Sequence, residues 1–198
     1  MTGTPPATPS DLKVKLRQDA LRRRAAAHLR QKASAGEIVR GLGLDLIGQL
    51  PGSVVSGYFP IRDEIDPLPL LTGVIEWGMQ VVLPVILAKA TPLIFRTWQP
   101  GDVLETKPFG LKEPLASAKV ALPDILLVPL SAFDSAGFRI GYGGGYFDRT
   151  LDLYRKNRKI TAIGVAYDEQ EVPCFAHEPH DQTMDYLITP TGVRTFGT

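Results

Sequence analysis

The sequence predicts an α/β protein of three layers, an open and mostly parallel sheet with mixed edges, flanked by helices in a Rossmann-like arrangement. Three observations carry this. Apolar runs of strand length alternate with stretches of helix-forming residues, the order that builds βαβ units. Several of those runs, "VVLPVILA" and "ILLVPLSAF" among them, are apolar on both faces, as parallel strands covered by helices must be. The 198 residues are 44% hydrophobic, enough to bury one sizeable core. The expected organisation is a flexible leader over 1–9 and a single α/β domain over 10–198.

The elements follow in order. After the leader "MTGTPPATPS", Ser10 is a suitable N-cap, with Lys13 standing where a capping box would place an acid. Helix formers then run from 11 to 33, with Leu12, Leu16, Leu21 and Leu29 suggesting one apolar stripe. A second helix is expected over 35–50, stopped by Pro51-Gly52. "SVVSGYF" (53–59) reads as a buried strand, followed by a loop holding "PIRDEID" and a helix near 67–77. "MQVVLPVI" (79–86) is a strand and "LIFRTW" (93–98) one of edge character. "ILLVPLSAF" (125–133) is expected to run as one strand straight into a glycine cluster, with a helix over 145–156 beyond it. "KITAIGVAY" (159–167) and a short "DYLITP" (185–190) complete the strands.

Charge and composition exclude several classes. The formal net charge is +1, but residues 1–40 hold nine Lys/Arg against three Asp/Glu, a surplus of six that leaves the remainder at about −5. The arginines at 22–24 lack interleaved aromatics, and the acidic remainder dilutes the field, so nucleic acid is not an expected partner. The longest apolar stretch is too short to span a bilayer, which argues against a membrane partner. Cys174 is the one cysteine, so an internal disulfide is impossible and a reducing compartment fits. With no secretory apolar run at the start, the expectation is a cytoplasmic monomer.

The chemistry gathers at "AFDSAGFRIGYGGGYFDRTL", which places four glycines in five positions between Arg139 and Asp148. Glycines clustered this way let backbone approach a ligand closely. A strand, a glycine loop and a helix N-terminus together offer free amides to an anion, usually phosphate. The dinucleotide pattern G-x-G-x-x-G fails because Tyr146 stands at its third glycine, and the P-loop pattern fails for want of a Lys-Ser/Thr pair. Asp148 is of a type that holds Mg²⁺ together with substrate phosphates, and Arg139 of a type that stabilises charge on a transferring phosphoryl group.

"VPLSAFDSAGFRIGYGGGYFDRTL" resembles the signature of the 5-formyltetrahydrofolate cyclo-ligases, also called methenyltetrahydrofolate synthetases. "KVKLR", "GYFPIRDEID", "FGLKEP" and "HDQTMDYLIT" stand in matching order, so the resemblance covers nearly the whole chain past the leader. It implies an ATP- and Mg²⁺-dependent closure of 5-formyltetrahydrofolate to 5,10-methenyltetrahydrofolate. Carried over by residue, it places ATP at Lys13, Arg17 and the run Arg139, Ile140, Gly141, Tyr142, Gly143, Gly144, Gly145, Tyr146 and Phe147. It places the folate at Tyr58, Phe59, Glu64 and Trp98, with Tyr142 to Tyr146 facing both ligands. Arg139, Tyr146 and Asp148 would be catalytic, and Asp148 and Asp185 would hold Mg²⁺. The other arginines of the first helix, Arg22, Arg23, Arg24 and Arg30, read as a solvated basic face. Tyr142 and Gly144 stand where some members carry basic residues, and Phe147 where Tyr is commoner.

Two other readings have weaker support in the sequence. "HEPHD" (177–181) resembles a metal cluster but lacks the helical H-E-x-x-H spacing, and no G-x-S-x-G elbow supports a serine hydrolase. The rival class is a binding module that takes folate or nucleotide without turnover.

Overall fold

The structure is a computed structural model that describes residues 9–197. Helix α1 (Pro9–Gln31) begins one residue before the expected cap, so Ser10 is inside it. Pro9, assigned to the leader from sequence, opens the helix, where its missing N–H has no acceptor to lose. The rest of the leader, 1–8, lies outside the described residues. The leucine stripe is corrected too. Leu12 and Leu29 are exposed, while the buried face is Ala20, Arg24 and Ala27, spaced by four and three.

Helix α2 (Ala35–Ile47) stops three residues short of the expected end, the Gly48 amide closing on Leu44 O. Then come β1 (Val54–Ser56), α3 (Leu68–Glu76), β2 (Gln80–Val85) and β3 (Ile94–Thr97), all where apolar runs placed them. A hairpin of β4 (Leu104–Thr106) and β5 (Lys112–Pro114) follows, which the sequence did not announce. Strand β6 (Ile125–Pro129) ends sooner than expected, because the chain then turns into a separate hairpin of β7 (Ala132–Phe133) and β8 (Arg139–Ile140). Asp134 makes that turn: its Oδ1 accepts from the amides of Ala136 and Phe138, each at 3.0 Å. The glycine loop therefore follows a hairpin and not the sheet strand itself. Helix α4 (Tyr146–Asn157), β9 (Thr161–Val165), β10 (Tyr186–Thr189) and an unexpected β11 (Gly192–Thr195) complete the chain.

The main sheet has the order β11-β10-β9-β6-β1-β2-β3, its five central strands parallel and both edge strands antiparallel. Side chains alternate across it. Val55, Leu83, Leu127 and Ile163 pack beneath Val39 and Ile47 of α2 and Leu70, Leu71 and Val74 of α3. Val82, Leu126, Val128 and Ala162 pack on the other face beneath Leu151 and Tyr154 of α4. Strand order reverses between β1 and β6. From β1 the chain moves to β2 and β3 on one side, and from β6 to β9 and β10 on the other. Crevices of this kind, outside the carboxyl ends of the strands, are where open α/β sheets bind ligands.

The crevice depends on tight packing under its floor. Gly57, directly after β1, bonds through its amide to Val82 O at 2.9 Å. A Cβ there would fall 2.2 Å and 2.7 Å from the two methyls of Leu71, which is fully buried. Gly57→Ala is expected to cost about 1–3 kcal/mol by overpacking, read as a lowered urea midpoint with unchanged slope.

Candidate active site

Two loops meet at the strand-order reversal. One leaves β1 and carries Tyr58 to Glu64; the other leaves the β7–β8 hairpin as the glycine loop, residues 141–145. Helix α1 lies across both, and one of its faces supplies the contacts. Lys13, Arg17, Arg24 and His28 are spaced so that all project from that face. They reach respectively Asp181, Gly141 O, Asp63 and Tyr167.

The glycine loop needs its glycines for two separate reasons. Gly143 and Gly145 sit at φ +96° and +62°, the left-handed region that other residues enter only at a cost. Gly144 needs space: a Cβ would stand 2.6 Å from the Tyr146 ring. Gly145 is the N-cap of α4 and no side chain caps the helix, so its first-turn amides stay available to an outside acceptor. Two guanidinium groups brace the loop from its carbonyl side. Arg17 Nε donates to Gly141 O at 2.7 Å, and Arg149 donates to Gly144 O. Partial burial holds the Arg17 pKa below its ordinary value.

Beside the loop is a buried cluster of charge. Glu64 is 6% exposed, and its Oε2 accepts from the Ile61 amide at 2.9 Å. Its Oε1 accepts from the Tyr142 hydroxyl at 2.9 Å, which ties the β1 loop to the glycine loop. Arg24 reaches the same place from α1, with Nη2 2.7 Å from Asp63 Oδ1 and Nη1 3.7 Å from Glu64 Oε1. Burial raises the Glu64 carboxyl above the usual range, against the opposing pull of the Ile61 amide, Arg24 and Tyr142. Burial also raises Asp63, but the Arg24 bond outweighs it and leaves that carboxyl low. Burial and the neighbouring carboxylate raise the Tyr142 hydroxyl, which therefore stays a donor to Glu64 at neutral pH.

Asp148 occupies the first turn of α4. Its Oδ1 accepts from Arg139 Nη2 at 2.9 Å and from the Gln182 amide at 3.2 Å. Arg139 is buried beneath it, and its Nη1 donates to Gln182 O. Burial lowers the Arg139 pKa, offset by the Asp148 charge. Asp148 also lines a cleft of about 210 Å³ with Arg149, Asp152 and His180. Asp185 directly precedes β10. Its Oδ2 accepts from the Ala162 amide at 2.7 Å and from Arg155 Nη2 at 2.9 Å, and Arg155 lies in the last turns of α4. Seven residues of helix, about 10 Å, separate the Asp148 and Arg155 positions. The two aspartates have different arginine partners, but Gln182 links them: its amide donates to Asp148 Oδ1 at 3.2 Å and its Oε1 accepts from Arg155 Nη1 at 3.3 Å.

Lys13 is held by Asp181 at 2.7 Å and Glu178 at 3.2 Å. Its partial burial works against the charge, but those two bonds prevail and raise its pKa. Glu178, His180 and Asp181 lie close enough to share an ion, but Lys13 already occupies the two carboxylates.

The aromatic assignments divide. Tyr58 is a core residue whose hydroxyl donates to Ile65 O at 3.1 Å, so its ring is not free to wall a ligand. Trp98 packs edge-to-face on Phe59 with centroids 5.5 Å apart, and it also lines a groove with Met79 and Gln80. Ile140 is buried in the hairpin and its carbonyl accepts from the Ser131 amide at 2.8 Å, so neither its side chain nor that carbonyl faces the loop. Tyr146 and Phe147 pack partly against the α4 side of the core. Phe59, Glu64, Tyr142 and Arg17 are the predicted residues that converge on the two loops.

A sequence profile of the 5-formyltetrahydrofolate cyclo-ligase family matches residues 9–190. The chain belongs to this family. It is 34% identical over 178 residues to the 5-formyltetrahydrofolate cyclo-ligase of Mycolicibacterium smegmatis, covering 83% of this chain and 90% of that one. It is 32% identical over 164 residues to that of Haemophilus influenzae, covering 80% and 87%. The solved structure of Aquifex aeolicus 5,10-methenyltetrahydrofolate synthetase superimposes with a TM-score of 0.75 at 28% identity, covering 94% of each chain. A Mycoplasma pneumoniae 5,10-methenyltetrahydrofolate synthetase shares the fold, with a TM-score of 0.71 at 22% identity over 89% of this chain and 97% of that one.

Arg24, expected from the sequence to be solvated, is 1% exposed. Its spacing of seven from Arg17 was the signal, because it continues the face that carries Lys13 and Arg17. Arg22 and Arg30 are exposed as expected, paired with Asp19 and Glu169. Asp63, Arg149 and Gln182 joined the site only through tertiary contact. Asp185→Ala leaves the Ala162 amide without its acceptor, and is expected to cost about 1–3 kcal/mol in a denaturant titration.

Proposed function

We propose that the protein closes 5-formyltetrahydrofolate to 5,10-methenyltetrahydrofolate at the expense of ATP, releasing ADP and phosphate. One observation carries the reading onto these residues: the Tyr142–Glu64 hydrogen bond brings a phosphate-type glycine loop against a buried acceptor at the strand-order reversal. The reaction needs both. A formamide oxygen is a poor leaving group, so the γ-phosphoryl moves to it, breaking the terminal anhydride bond of ATP and forming an imidate phosphate. N10 then attacks the former formyl carbon, the C–O bond breaks, phosphate leaves, and the N10 proton passes to phosphate or water.

Each residue has a part. The amides of 143–147 and the uncapped start of α4 cradle the phosphates, whose charge the helix dipole favours. Arg17 keeps the loop in shape through Gly141 O. Glu64 accepts from the amino group and ring N–H of the pterin, a donor edge that a carboxylate matches in pairs. Phe59 forms the apolar wall. Tyr142 stands between the two ligands, and Arg139 fixes Asp148 beneath the phosphates. The protein's task is mainly positioning and charge stabilisation.

Asp148 fits a hard cation. Its hydrogen bonds with Arg139 and Gln182 both fall on Oδ1, and Asp148 lines a cleft with Arg149, Asp152 and His180, so Oδ2 would be the atom to hold Mg²⁺. Asp185 likewise keeps both of its side-chain hydrogen bonds on one oxygen, Oδ2, so its Oδ1 would be the atom to join Asp148. When bound, Mg²⁺ neutralises charge on the phosphates.

The deciding assay mixes the protein with 5-formyltetrahydrofolate, with and without MgATP, and follows the near-ultraviolet absorbance of the methenyl product. A rise that needs both ATP and Mg²⁺ is expected. Its absence, with folded protein that still binds ligand in calorimetry, would leave binding without turnover.

Asp148→Asn keeps a partner for Arg139 and should lower turnover by roughly two orders of magnitude with little change in melting temperature. Asp148→Ala is the poorer probe, since it strands a buried guanidinium. Turnover by Asp148→Asn at the parent rate would remove the cation role.

A further inference from the structure

We propose that Arg24 is a positioning residue for folate recognition: from α1 it holds the Glu64 carboxylate in place as an acceptor for the donor edge of the pterin. The inference rests on the reading of Glu64 given above. Arg24 is the largest fully buried side chain among the described residues. It touches each segment that meets at the crevice. Nη2 binds Asp63 of the β1 loop at 2.7 Å, and Nη1 is 3.5 Å from Leu130 O just past β6. Its Cζ stands 5.8 Å from the centre of the Tyr142 ring on the glycine loop.

A purely structural role explains this poorly. Arg24 Nε is buried with no hydrogen-bond partner, which costs stability. Buried ion pairs can often be replaced by apolar side chains of similar volume without loss of stability. What an apolar residue could not supply is a fixed positive charge 3.7 Å from Glu64 Oε1. That charge has consequences because Glu64 is enclosed. The groups facing it are Asp63 and the Ile61 amide from its own loop, Tyr142 from the glycine loop, Tyr58 from the end of β1, and Arg24. Among them the cation is Arg24. Without it, burial and Asp63 would drive Glu64 toward its protonated form, which presents a donor where the pterin also presents donors.

The test is the pH dependence of kcat/KM for 5-formyltetrahydrofolate in Arg24→Met, Arg24→Lys, Asp63→Asn and Glu64→Gln, with KM for ATP measured alongside. Arg24→Met should raise the folate KM about tenfold or more near neutral pH and leave the ATP KM within about twofold. It should also move the acid limb of the profile up by about one pH unit or more, since an opposite charge at this distance shifts a carboxyl by that much. Arg24→Lys should return the limb to its parent position. Asp63→Asn removes the competing anion and should move the limb the other way, and it decides the matter if Arg24→Met does not fold. An unmoved limb in the folded variants, or equal losses for both substrates, overturns the positioning role. A parent-like folate KM in Glu64→Gln would instead overturn the assignment of Glu64 to the folate.

Discussion

The reversal of strand order between β1 and β6 is the constraint on which the site depends. Neighbouring parallel strands whose chains depart in opposite directions cannot have their following loops packed over one another, so a crevice opens between them. The β1 loop and the glycine loop line that crevice because each leaves one side of the divide. The helices enforce the geometry from both faces, α2 and α3 above β1 and β2, and α4 below β6 and β9. The five parallel strands are covered by helices on both sides, and the loops of the candidate site are fixed to their ends.

Helix α1 completes the arrangement by an unusual route. Its buried stripe is two alanines and an arginine, so it contributes little apolar area and rests instead on polar contacts. Those contacts fall on loops from four parts of the chain: the β1 loop, the glycine loop, the segment after β9 and the 175–181 loop. The basic surplus of the first forty residues thus has a local use. Lys13 meets Glu178 and Asp181, Arg24 meets Asp63, and Arg30 meets Glu169.

Much of this was legible in the sequence, for identifiable reasons. The strands under helices are runs such as "ILLV" and "VVLPV", whose burial on both faces leaves a signal in every residue. The glycine loop was legible because positive φ and close approach restrict the choice of residue. The small hairpins were not, since two- and three-residue strands carry no periodicity. The β7–β8 hairpin hid inside what reads as one long apolar run, and only the Asp134 turn divides it. Arg24 was missed because charge is ordinarily a sign of exposure, and its burial depends on partners forty to a hundred residues away. Asp185, expected from the resemblance to hold Mg²⁺, also accepts from the Ala162 amide at the start of β9, a contact that no local pattern announces.

Because α1 is held by charged contacts to the loops that frame the crevice, its docking and the filling of the crevice are thermodynamically linked. A helix with so little buried apolar surface opens at a lower free energy than the sheet beneath it. A ligand that contacted Arg17 would need α1 docked, so its binding would stabilise the helix and slow the exchange of its amide hydrogens. The first helix would then report on occupancy of the crevice.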